Sequence, residues 1–129
     1  MKTPSEITKD FFLDYKEWND FASKTSENND ENSDHKIRKM YDDLILKFCD
    51  SEKKYQGLAY GSESSHCIEQ EQIIEELISE DKAIVKTLFK NKKFDFIQHN
   101  YEYHFEKVKD RWILNEVYLV DDDGQYECL

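Results

Sequence analysis

Acid–base chemistry needs an imidazole or a carboxyl group drawn out of water, where burial and a neighbour move its proton affinity toward neutrality. His66, His99 and His104, with Glu102 and Glu116, are residues of the right types, and Tyr101, Tyr103 and Tyr118 are hydrogen-bond donors close to them in the chain. Their spacing does not by itself assemble a site, because Tyr101-Glu102-Tyr103-His104-Phe105 alternates as any half-buried strand does. A metal centre is disfavoured. His66 and Cys67 are adjacent, and His99 and His104 differ in parity, so along a regular strand each pair points to opposite faces. Neither a nucleophile elbow nor a phosphate-binding loop is present. The chain has only three glycines, and those loops depend on glycine for close backbone approach. The reading at this level is no catalytic residue, no metal and no cofactor.

The elements that would position these residues can be read from periodicity. After Pro4, the residues Ile7, Phe11, Tyr15, Trp18 and Ala22 fall at steps of three and four, which predicts a helix with one apolar stripe. The polar run Ser26 to Asp34 reads as a loop, and Ile37, Met40, Tyr41, Leu44, Ile45 and Phe48 predict a second helix. Gly57 to Gly61 is a strand or turn candidate, and Ile68 to Ser79 is compatible with either a short helix or a strand. From Lys82 the pattern is β. Ala83, Val85, Thr87 and Phe89 alternate with Ile84, Lys86, Leu88 and Lys90; Phe94 to Val108 and Trp112 to Val120 give two further strands. Helices followed by three or more antiparallel strands define an α+β class, with the helices packed on one face of a curved sheet.

A length of 129 residues suits one domain, residues 1–129. The net charge of -11 argues against nucleic acid and against an anionic membrane surface as partners, since both demand basic side chains. Met1 to Asp14 lacks the basic flank and apolar run of a signal peptide, and Cys49, Cys67 and Cys128 are odd in number and scattered. Reduced thiols in a cytoplasm are therefore expected. The acids are segregated: six lie between Cys67 and Lys82 against one lysine, and four lie in residues 121–129 with no base. Glu69, Glu71, Glu75, Glu76, Glu80 and Asp81, with Asp121, Asp122 and Asp123, are the candidate contacts for a basic protein partner if they form one negative face. A solvated surface that binds nothing is the alternative.

Four segments carry a resemblance. His66-Cys67-Ile68-Glu69-Gln70-Glu71, Ala83-Ile84-Val85-Lys86-Thr87, Tyr101-Glu102-Tyr103 and Arg111-Trp112-Ile113 resemble the nuclear transport factor 2-like superfamily, and within it the immunity proteins of bacterial polymorphic toxin systems. The resemblance spans Phe11 to Val120 and implies a cone of helices over a strongly curved antiparallel sheet. It implies that Trp112 and Ile113 are core residues at a strand start and that Tyr101 and Tyr103 are sheet residues. Immunity members bind and neutralise a cognate toxin without chemistry of their own, and an acidic inhibitor suits a basic toxin. Enzymes of the superfamily, isomerases and dehydratases, place acid–base residues in the cone pocket, which is the alternative function, although no catalytic pattern carries across to this chain. Exposed sheet faces in the superfamily also pair, so a homodimer through the sheet is a further expectation.

Overall fold

A computed structural model describes residues 2–27, 32–49, 53, 60–61, 64–94 and 96–129. Helix α1 runs Pro4–Ser26 and begins at a capping box: Thr3 Oγ1 accepts from Glu6 N at 3.2 Å, and Thr3 N donates to Glu6 Oε1 at 3.0 Å. Proline in the first turn loses no helical hydrogen bond. Helix α2 runs Ser33–Phe48, so the two helices consume both ends of the expected loop. The buried stripes are the expected ones except that Ile7 and Met40 are only half-buried, and Phe12, Thr8 and Asn19 are added on α1. Trp18 locks the pair: its ring lies 4.6 Å from Tyr41, and its Nε1 donates to Ile37 O at 3.1 Å.

The sheet is a meander of five antiparallel strands in the order β1-β2-β3-β4-β5, curled but not closed. The strands are β1 Glu71–Ser79, β2 Lys82–Lys90, β3 Gln98–Val108, β4 Arg111–Asp121 and β5 Gly124–Glu127. The segment Ile68 to Ser79 resolves into a turn followed by β1. Its apolar pairs at Ile73-Ile74 and Leu77-Ile78 mimic a helical step because a β-bulge falls between Ile73 and Glu75. Strand β3 starts at Gln98 rather than Phe94. Asn91 Oδ1 accepts from the amides of Lys93 and Phe94, and Ile97 N donates to Phe94 O, so this stretch folds as a connection. Two-residue turns close the other three hairpins. Lys109 and Asp110 both take positive φ, 50° and 63°, as a twisted hairpin turn demands. At the last turn Asp121 Oδ1 accepts from Asp123 N and Gly124 N, and Gly124 sits at φ 146°.

Alternation puts Ala83, Val85, Thr87 and Phe89 with Tyr101, Tyr103 and Phe105 on the concave face under the helices. A second bulge, at Asn115, keeps Val117 opposite Tyr103. Trp112 is buried as expected. Ile113 is only half-buried, because its parity sends it to the convex face opposite Glu106. Most of the Gly57–Gly61 segment lies outside the described residues; within it, Asn19 clasps Gly61 through both its amide oxygen and nitrogen.

Candidate functional site

The concave face holds one polar constellation. The amides of Gln70 and Glu71 both donate to Cys67 O, and this turn folds His66 back over the start of β1. Ser64 secures the imidazole-bearing residue from the other side, bonding the backbone oxygen and nitrogen of His66. As a result His66 Nδ1 lies 2.8 Å from Glu71 Oε1 and 2.8 Å from Tyr103 OH. Tyr103 OH and Thr87 Oγ1 each donate to Glu71 Oε2 at 2.6 Å. With the proton on Nδ1, His66 donates to the other carboxyl oxygen, so three donors from three elements converge on one acceptor. His66, Glu71, Thr87 and Tyr103 are all buried.

Aromatic rings close the space around this network. Phe11, Tyr15 and Tyr101 stand 5.4, 4.8 and 4.7 Å from the His66 ring, and Phe12 lies 5.8 Å from Tyr103. The cone interior at this point is thus occupied by the protein's own side chains. A depression of about 780 Å³ opens outside it, between α1 and the β1–β2 pair, with Lys9, Phe12, Glu71, Ile73, Asn91 and Lys92 in its walls.

Burial, and after it the Glu71 carboxyl, pushes the Tyr103 phenol well above its ordinary 10.0. Burial moves Tyr101 the same way and pushes Tyr15 up to about 12. A phenol whose folded value is raised keeps its proton longer in the fold than in the unfolded chain. Its stabilising contribution is therefore complete below pH 10 and is lost as the pH climbs above it. Urea midpoints measured from about pH 8 to about pH 11 should begin to fall near pH 9, because burial also raises the Cys67 and Cys128 thiols, and should fall more steeply above about 10, with a shallower fall there in Tyr103→Phe. An equally steep fall in that variant would remove Tyr103 as a cause.

The other acid–base candidates are not assembled with His66. His104 and Glu102 lie on the convex face, 3.0 Å apart, with the Tyr118 ring 4.7 Å from the imidazole. His99 is exposed near the sheet end beside Phe89. Glu116 is buried in a structural role, where it accepts from Leu129 N at 2.8 Å and pairs with Lys53 at 2.5 Å. No group of three or more His, Cys, Asp or Glu able to hold an ion occurs among the described residues.

The structure divides the acids of the expected negative face. Glu71 turns inward: its parity puts it opposite Phe89 on the concave side, where Thr87, Tyr103 and His66 satisfy it. Glu69 is exposed in the turn before β1, and the Cys67 thiol donating to it holds its carboxyl below the usual range. Glu76 accepts from Ser5 N at 2.9 Å and from the Ser5 hydroxyl, so it anchors the N-terminus of α1, where the helix dipole favours an anion. Glu75, Glu80 and Asp81 remain exposed along β1 and its turn, with Glu75 3.8 Å from Lys86. Asp121, Asp122 and Asp123 stand at the border opposite β1, and at the other end of the strands from Glu80 and Asp81. The two acidic clusters therefore lie on opposite border strands of the sheet.

Two helices packed on a curled antiparallel meander of five strands define the nuclear transport factor 2-like α+β fold. The chain belongs to a family within that fold: residues 3–126 match the family described as NTF2 fold immunity protein. No curated protein and no solved structure matches the chain.

Proposed function

We propose that this protein binds and neutralises a cognate bacterial toxin domain in the cytoplasm, protecting the producing cell from that toxin, and that it catalyses no reaction. Membership of the immunity family over residues 3–126 carries the reading. Two features support it. His66 and Tyr103, which an isomerase-like or dehydratase-like enzyme would need open to substrate, are buried and packed against the protein's own rings, and of the network only Glu71 lines the outer depression. The charge of -11 suits a basic toxin, whose association it would accelerate.

The test is calorimetry against the toxin domain encoded beside the gene, at low and high salt. The expected result is nanomolar binding that weakens about tenfold or more as salt screens the surface. Tight binding indifferent to salt would keep the immunity role and overturn its electrostatic part. No binding would overturn the role and favour a ligand in the depression beside Glu71.

A further inference from the structure

Among the described residues one conspicuous surface has no cover, the outer edge of β1. Strand β1 is a border strand of nine residues, and β2 is the only described strand paired with it. Every residue from Ile74 to Asp81 is exposed. Three of them are large and apolar: Ile74 is 56% exposed, Leu77 44% and Ile78 54%. Beyond Leu77 and Ile78 lies a depression of about 500 Å³ that continues onto Ala83 and Ile84. The opposite border strand, β5, has only four residues.

A long border strand offers a row of unpaired backbone donors and acceptors and invites another strand to pair. Proteins usually blunt such edges with charge or bulges. Here the bulge at Ile74 is followed by a straight run to Ser79, and the charge is of one sign: Glu75, Glu76, Glu80 and Asp81. That arrangement discriminates between occupants. A second copy pairing edge to edge would bring these acids against their own counterparts, and like charges across a strand pair are destabilising. A strand carrying Lys or Arg around apolar side chains would meet complementary charge and fill the apolar depression.

We infer that the free edge of β1 is the docking site for an extended, basic segment of the toxin, which adds to the sheet as a sixth strand. The inference rests on the immunity reading. Glu80 and Asp81 supply most of the charge complement, and Leu77 and Ile78 supply the apolar contact. Glu75 and Glu76 contribute less, because Lys86 and Ser5 already pair with them.

The experiment pairs two measurements on the full chain with the toxin domain encoded beside its gene. Hydrogen exchange should show the amides of residues 74–79 slowed by about tenfold or more in the complex relative to the free chain. The variant Leu77→Lys/Ile78→Lys should fold with an unchanged urea midpoint and bind about 30-fold or more weakly, the scale of an interface hot spot. Unchanged affinity, or protection confined to other strands, would overturn the edge assignment and leave the immunity reading standing. Protection of these amides in the free chain at high concentration, together with a doubled mass, would overturn it in favour of a second copy. No binding by the unaltered chain would overturn both. The exchange measurement decides the matter even if the double variant fails to fold.

Discussion

Glu71→Ala should lower the free energy of unfolding by about 3–5 kcal/mol, the range for removing one partner from a buried polar cluster. Three donors lose their acceptor at once: Thr87 Oγ1, Tyr103 OH and His66 Nδ1. None reaches water, since all three residues are buried beneath α1. Glu71→Gln should lose less, about 1–2 kcal/mol, because its remaining oxygen still accepts and the imidazole can change tautomer to receive the new amide hydrogen. Urea unfolding near neutral pH measures both. A loss under about 1 kcal/mol in the alanine variant would mean that the donors find other partners and that the network is not a structural keystone. The glutamine variant has a second use. If the toxin meets the exterior of the protein, Glu71→Gln keeps full affinity for it; a large loss of binding with the fold intact would bring the concave network into the function.

Phe11→Ala should destabilise the fold by about 3–5 kcal/mol through lost contacts and the cavity left behind. Phe11 is 1% exposed and touches every layer. Its ring centroid lies 5.5 Å from Tyr15 within α1 and 5.5 Å from Phe48 of α2. It lies 5.4 Å from His66 and 5.7 Å from Tyr103 of β3. Neighbours fixed on four separate segments cannot all close in, so little of the void is recovered by collapse. Phe11→Leu refills most of it and should lose about 1–2 kcal/mol. Equal losses for the two variants would contradict a rigid, well-filled interior. The void also borders His66, so the alanine variant is where a small apolar ligand would enter if the cone can hold one at all. A ligand that stabilised the unaltered chain instead would revive the enzyme-like reading.

Helices α1 and α2 and strands β2 to β4 were legible in the sequence because each repeats a local period over eight or more residues. Ile7 through Ala22 recur at helical steps, and Tyr101, Tyr103 and Phe105 alternate, whatever they come to pack against. Strand β1 was not legible, because the bulge after Ile73 breaks its alternation and imitates a helical pattern. The start of β3 was also displaced, since Phe94, Phe96 and Ile97 look like strand residues but stand exposed in a connection closed by Asn91.

The candidate site divides along the same line. The amino-acid sequence alone determined the α+β class, the excess of negative charge, its segregation and the family resemblance, because composition and short-range periodicity are properties of the chain itself. The tertiary structure decided which acids have a function and of what kind. Glu71 and Glu75 are four residues apart in one acidic run, yet one is locked among His66, Thr87 and Tyr103 while the other faces water. Strand order likewise separated Asp121–Asp123 from the β1 acids by the full width of the sheet. The physical reason is that a carboxyl group's role depends on burial and on its donors. Those donors come from segments up to 32 residues away, as Tyr103 is from Glu71, and only folding brings them within hydrogen-bond reach.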